Sequence, residues 1–451
     1  MKRLLLLPII ALALFACQKN EPDDLFGGKT PSQRFEQSQA ELRRELAKPE
    51  NGWKLTYFTN DKKFGGFTFL MKFTPEGLVE MNSDIGLTSS STTSKYEIQE
   101  GQGTMLVFTT KNYIHELSDA YTHMDLRGKG YEGEFQFIYY GKEGNKLKFR
   151  TQRKATEQYV YFEPATAEDW NNIHNTTTNV ALPMITLRPF NFYFRVTTNA
   201  GNEDYDIFLY HRFLTLTSFS NPSKVLEVSL SPSANKLVFA KPLVVEGKTF
   251  REMALDSSGS LPRYFATVDG VSIEILAGNI TEEHINNDYQ NIGTKVTQFI
   301  FLTSPLGIQT ANTYTSNTFI RNFLMINTNN YFARIDFSFS KTGKCEVVLF
   351  YAFPNMRNYS RRVYTYNYTL TDKRLYLTNP QFKEQTDENL WNDSTNVAIL
   401  NASNRVFNNI TTVATNGFYI KKLPLKLRYS NVIYLLQSST YSNISFPVYV
   451  N

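Results

Sequence analysis

Short runs of alternating apolar and polar residues, cut by turn signals, set the tightest limit on what this chain can fold into. Phe67-Thr68-Phe69-Leu70-Met71-Lys72-Phe73 runs to a turn at Pro75-Glu76-Gly77 and returns through Leu78-Val79-Glu80-Met81. A period of two puts successive side chains on opposite faces of a strand, whereas a helix repeats every 3.6 residues. The same reading fits Trp53 to Phe58, Tyr96 to Ile98, Met105 to Phe108, Phe135 to Tyr140, Leu147 to Thr151 and Tyr159 to Phe162. Composition agrees: 14 % of residues are aromatic, mostly Phe and Tyr, which favour pleated, half-buried surfaces. Strands and turns at this density predict a mainly β fold of two or three antiparallel β-sandwich or barrel modules.

One N-terminal helix is expected over 30–48. Thr30 or Ser32 caps it, Pro31 suits its first turn, Phe35, Leu42 and Leu46 form its apolar stripe, and Pro49 with Asn51-Gly52 ends it. A shorter helix is expected from Thr166 to Ile173. The pattern then recurs. Phe73 precedes Gly77 as Phe339 precedes Gly343, and Phe192-Tyr193-Phe194-Arg195-Val196 opens a similar middle segment. Duplication or the coincidences of any all-β chain both account for this. The expected division is a signal peptide (1–16), a lipidated linker (17–29), a helix with a first β-module (30–175), a second β-module (176–290) and a third (291–451).

The first residues read MKRLLLLPIIALALFAC. Lys2 and Arg3 precede an apolar core, Leu4 to Phe15, too short to span a bilayer, as in an export signal. Leu14-Phe15-Ala16-Cys17 resembles a bacterial lipobox, which implies cleavage before Cys17 and lipid attachment there, with palmitate among the acyl groups. Gln18-Lys19-Asn20-Glu21-Pro22-Asp23-Asp24 resembles the surface-export tether of Bacteroidota lipoproteins; it also reads as a plain solvated linker. The chain has two cysteines. With Cys17 lipidated, Cys345 has no partner for an intrachain disulfide and is expected to be a buried small hydrophobe.

Asn51-Gly52-Trp53-Lys54-Leu55-Thr56-Tyr57-Phe58, Gly65-Gly66-Phe67-Thr68-Phe69-Leu70-Met71-Lys72-Phe73, Gly101-Gln102-Gly103 and Tyr113-Ile114-His115-Glu116-Leu117 together resemble a family of uncharacterised Bacteroidota surface lipoproteins. The resemblance is densest over the N-terminal 160 residues and fades beyond about residue 290. It implies a genomic setting beside starch-utilisation-type uptake pairs, a TonB-dependent porter with its surface lipoprotein, and sometimes a zinc metallopeptidase. It implies no catalytic residues. The Gly52-Trp53 start after a helix also resembles the first strand of a lipocalin-like barrel.

No nucleophile elbow, phosphate-binding loop or HExxH motif occurs. Neither catalytic residues, a metal nor a cofactor is expected. The densest polar cluster holds His115, Glu116, His123 and Asp125, a candidate ligand-binding stretch that also reads as a polar loop whose His caps a turn. Arg357, Arg361 and Arg362 with Tyr359 and Tyr364 form a small basic patch, and Asp393-Ser394-Thr395 resembles a Bacteroidota O-glycosylation motif. The balance of 47 basic against 42 acidic residues, a net charge of +5, is too even for a nucleic-acid binder. The expected function is a non-catalytic, ligand-binding, outer-membrane lipoprotein facing the cell exterior. Its expected partners are the membrane, through the lipid, a TonB-dependent porter with its surface lipoprotein, and a glycan or peptide ligand. A structural or adhesion lipoprotein, and a surface hydrolase with its site at 115–125, are the alternatives.

Overall fold

The computed structural model describes residues 28–85, 90–122, 126–152, 157–175, 191–259, 262–278, 282–285, 287–303, 315–327, 330–352, 359–392, 396–423, 432–441 and 443–451. The signal peptide, Cys17, His123, Asp125, Arg357 and Asp393-Ser394-Thr395 lie outside the described residues. The fold is three closed antiparallel barrels of eight strands each. Barrels therefore replace the sandwich alternative, and closure removes the free sheet edges that an open sandwich would expose. Among the described residues, four α-helices have five residues or more, so the expected N-terminal helix is not the only one.

The first barrel is an up-and-down meander of β1 (Trp53–Tyr57), β2 (Phe67–Phe73), β3 (Leu78–Ser83), β4 (Thr92–Glu100), β5 (Thr104–Phe108), β6 (Gln136–Glu143), β7 (Lys146–Thr151) and β8 (Tyr159–Pro164). Its inward positions follow the period of two: Trp53, Leu55 and Tyr57 on β1, Phe67, Phe69, Met71 and Phe73 on β2, Val160 and Phe162 on β8. Aromatic rings fill the lumen. Phe137 is in edge-to-face contact with Tyr57, Phe108, Phe149 and Phe162 at centroid separations of 5.8 to 6.5 Å. Helix α1 (Pro31–Ala47) closes one mouth by burying Leu42 and Leu46. Thr30 caps it through a reciprocal pair with Gln33, and Trp53 Nε1 donates to Leu46 O at 2.9 Å. Phe35 stays half-exposed, and Glu45, paired with Lys142, is buried instead. Gly52 links helix to strand at φ +67°, and a Cβ there would lie 2.2 Å from Met71 O, so only glycine fits. The 3₁₀ turn Tyr113–Leu117 and its loop close the opposite mouth with Ile114, Leu117, Leu126 and Tyr131.

The second barrel comprises β9 (Asn191–Thr198), β10 (Gly201–Tyr210), β11 (Phe213–Ser218), β12 (Val225–Ser233), β13 (Lys236–Val245), β14 (Lys248–Asp256), β15 (Arg263–Val268) and β16 (Val271–Gly278), closed by β16 on β9. Its core holds Phe194, Tyr205, Phe250, Met253 and Tyr264 among aliphatics.

The third barrel comprises β17 (Gln298–Leu302), β18 (Arg334–Phe339), β19 (Lys344–Ala352), β20 (Tyr359–Thr371), β21 (Arg374–Gln385), β22 (Phe418–Leu423), β23 (Ile433–Ser438) and β24 (Ser445–Val450). Cys345 is buried in its core, and burial pushes the thiol well up from its ordinary value. β21 meets β22 through only two residue pairs. The long helix between them, α4 (Val397–Thr415), packs on the β20–β21 hairpin, with the Phe407 ring centroid 4.0 Å from that of Tyr364 and the rings tilted by 30°. Its buried stripe, Ile399, Ala402, Val406, Phe407, Ile410, Val413 and Ala414, joins the barrel core. Before it, α3 (Glu388–Asn392) buries Trp391.

A buried ion pair joins the first barrel to the second. The β10–β11 turn sets His211 and Arg212 at φ +46° and +64°, a left-handed pair that costs non-glycine residues energy and persists only where contacts enforce it. Here they do. Arg212 donates to Asp84 Oδ2 at 2.9 Å, Asp84 O at 2.6 Å and Gly66 O at 2.7 Å, and its guanidinium lies 4.3 Å from the Phe67 ring centroid. Gly65 N donates to His211 O, Gly66 N to Leu230 O, and Ser229 Oγ to Phe64 O. A Cβ on Gly65 would fall 2.2 Å from Leu230 O.

Candidate functional site

Buried side chains fill the interiors of the first two barrels among the described residues. A cleft of about 720 Å³ opens between these barrels, within the usual ligand-pocket range of roughly 300–1,000 Å³. The outward positions of the first barrel form one wall: Lys54 and Thr56 on β1, Thr68 and Leu70 on β2, Tyr159, Tyr161 and Glu163 on β8. Helix α2 (Ala167–Asn175) contributes Glu168, Asp169 and Asn172. The end of β12 and its turn into β13 form the facing wall with Ser231 to Ala234, joined by Lys236 and Glu252.

Local sequence explains each wall. α2 begins with a capping box: Asp169 N donates to Thr166 Oγ1, while Asp169 Oδ2 accepts from Thr166 N and Oγ1 at 2.9 Å each. Its Ile173 buries against Leu70, and Trp170 Nε1 donates to Asn51 O at 2.8 Å. Lys54 donates to the remaining oxygen, Asp169 Oδ1, at 2.8 Å. Burial works against ionisation of Asp169, but the hydrogen bonds from Lys54 and Thr166 outweigh it and hold the carboxyl below its ordinary value. Lys236 is likewise paired, with Glu252 at 2.8 Å. At the floor, β1 and β8 pair only at Trp53–Pro164 and Lys54–Glu163. The Gln158 side chain bridges the seam by donating Nε2 to Phe58 O. That bond fixes the amide's orientation and leaves Oε1, a buried acceptor, without a hydrogen-bond partner. Ser231 Oγ, on a side chain 2 % exposed, is buried and unpartnered too.

The cluster read from sequence is arranged differently. His115 lies in the 3₁₀ turn with Nδ1 3.2 Å from the Asn112 amide, and its ring is stacked 4.5 Å from Phe135. Glu116 is 3.7 Å from Lys111. Among the described residues, no group of three or more His, Cys, Asp or Glu side chains converges to hold a metal. Burial of His115 disfavours the imidazolium and lowers its pKa from 6.5. The unfolded chain therefore binds a proton more readily than the native one. The stability this group contributes is complete above about pH 6.5 and declines as pH falls through the unfolded value toward the folded one. His115→Gln will flatten that part of the acid slope, read as a smaller melting-temperature difference between about pH 7.5 and about pH 5 than in the unsubstituted chain.

The described arginines of the basic patch do not share one environment. Arg361 pairs with Glu384 at 3.0 Å, but Arg362 is 7 % exposed beneath α4. It donates to Ser403 Oγ and Asn404 Oδ1 and lies near the Trp391 ring, and burial lowers its pKa. Arg362 turns inward because α4, absent from the expectation, covers it. Tyr205 and Tyr264 are fully buried.

Sequence reasoning missed the cleft. Its lining residues sit at ordinary outward strand positions and are drawn from segments far apart in the chain. The one local hint was the Thr166–Asp169 capping signal, which fixes Lys54.

The chain belongs to a family described as a domain of unknown function (DUF4302), whose profile matches residues 22–257. The matched span contains the first barrel, the Asp84–Arg212 junction, the second barrel through β14, and every residue lining the cleft. No curated protein matches the chain.

Proposed function

We propose that this DUF4302 chain is an outer-membrane lipoprotein facing the cell exterior, a non-catalytic accessory that captures a ligand for a TonB-dependent uptake system. The observation that carries the binding role is the cleft between the first two barrels, pocket-sized, built from both, and holding two buried polar atoms with no protein partner. Buried polar groups are ordinarily satisfied, and leaving one unmade costs about 1–3 kcal/mol, which a ligand recovers. The lipobox at Cys17, the Lys19–Asp24 tether and the resemblance to Bacteroidota lipoproteins encoded beside uptake pairs support the location and partners. The lipocalin-like start enters only as topology, because aromatic side chains occupy the first barrel's lumen.

Cys17→Ser will abolish acyl labelling and release the chain from the membrane fraction. Several acyl chains at about 0.8 kcal/mol per buried methylene make the difference nearly all-or-none. Retention of the variant in outer membranes would overturn the anchor. The partner claim is tested by isolating the native protein from outer membranes and identifying co-purifying chains by mass spectrometry. A TonB-dependent porter is expected. Recovery of the protein alone would favour a free-standing binder or adhesin.

A further inference from the structure

From the charge pairing and hydrogen-bonding capacity of the inter-barrel cleft, we infer that its ligand is a neutral oligosaccharide; the inference rests on the cleft being the binding site. Two lysines and four carboxylates line it. Lys54 is held by Asp169 and Lys236 by Glu252. Neither cation is free for an anion, Glu163 is held by Lys146 outside the lining, and Glu168 adds a further negative charge, so phosphates, uronic acids and other acidic ligands are disfavoured.

An apolar ligand fits no better. It would leave Gln158 Oε1 and Ser231 Oγ, already buried and without a hydrogen-bond partner, unsatisfied. The first atom only accepts a hydrogen bond, and the second both donates and accepts. A sugar hydroxyl, itself donor and acceptor, satisfies either. Thr56, Thr68 and Ser233 extend the hydroxyl-bearing surface, and Tyr159, 36 % exposed, adds an aromatic ring to the wall. Mixed hydroxyls beside an aromatic ring match the polar edges and apolar faces of a hexose.

The test is isothermal titration calorimetry of the purified full-length mature protein. The neutral probes are maltotetraose, cellotetraose, mannotetraose and xylotetraose; the contrasting probes are tetragalacturonate and tetraglycine. At least one neutral tetrasaccharide is expected to bind, and tetragalacturonate is not. Ser231→Ala and Gln158→Ala are expected to weaken binding by about tenfold each, consistent with losing one buried hydrogen bond. Ser231→Trp, which fills the cleft, is expected to abolish it. Matching thermal melts will establish that each variant is folded; Ser233→Trp at the same turn replaces any that is not.

Failure of all four neutral probes overturns the ligand class. So does binding of tetragalacturonate or tetraglycine that Ser231→Trp blocks, although the cleft then stands as the site. Neutral-sugar binding unaffected by Ser231→Trp overturns the cleft itself.

Discussion

Arg212→Ala will lower the unfolding free energy of the joined first and second barrels by about 3–5 kcal/mol, the usual cost of removing one partner from a buried ion pair. The Asp84 side chain has no solvent exposure and that of Arg212 has 12 %. Burial pushes the Asp84 carboxyl up from its ordinary value, while the guanidinium and the Thr68 amide oppose that shift. Without Arg212, the carboxyl stays in a water-poor site with Thr68 N still donating at 2.8 Å. The variant also loses the hydrogen bonds to Gly66 O and Asp84 O and the packing over Phe67. Replacing both partners, as Asp84→Leu with Arg212→Met, will recover much of the loss, because no uncompensated charge is then buried. Denaturant midpoints check this. A change under about 1 kcal/mol in Arg212→Ala is the value of a surface pair and would contradict the account of the junction. Should the junction loosen, the cleft loosens with it, since the β10–β11 turn and the β12 strand that meet Phe64 to Gly66 belong to the barrel that forms its facing wall.

Phe137→Ala will cost the first barrel about 3–5 kcal/mol, the range for removing a large aromatic from a packed core. Phe137 is fully buried and touches four other rings, so the loss combines transfer energy with a cavity its neighbours cannot fill without leaving their edge-to-face arrangement. The cleft lies on the opposite, outward face of the strands, so sugar affinity is expected to stay within about twofold at temperatures where the variant is folded. A loss of affinity as large as the loss of stability would point to the lumen as the binding space.

The first barrel was legible strand by strand because its lumen enforces a strict alternation. Trp53, Leu55 and Tyr57 turn inward while Lys54 and Thr56 turn outward, and the β7 pattern is equally regular. β2 is the exception, with Thr68 and Leu70 buried on the outer face as well. That doubly buried strand marks where α2 and the second barrel pack, although in the sequence it only looks more hydrophobic. Helix α4 was missed for a different reason. Its apolar stripe has the right spacing, but Asn, Thr, Val and Ile are weak helix formers and suggest strand or turn locally. Burial against the β20–β21 hairpin overrides that preference. The junction was beyond reach in principle: Asp84 and Arg212 are separated by 128 positions, and nothing local marks either as half of a pair. The cleft shares that limit, because β1, β8, α2 and the β12–β13 turn meet only after both barrels have closed.

The most direct test of the account is hydroxyl-radical footprinting of the full-length protein with and without a saturating concentration of the tightest-binding neutral tetrasaccharide. The account predicts protection centred on Tyr159 and Tyr161, with Tyr121, Tyr359 and Phe382, exposed elsewhere on the chain, unchanged. Protection at those distant rings, with Tyr159 and Tyr161 equally reactive in both states, would contradict it.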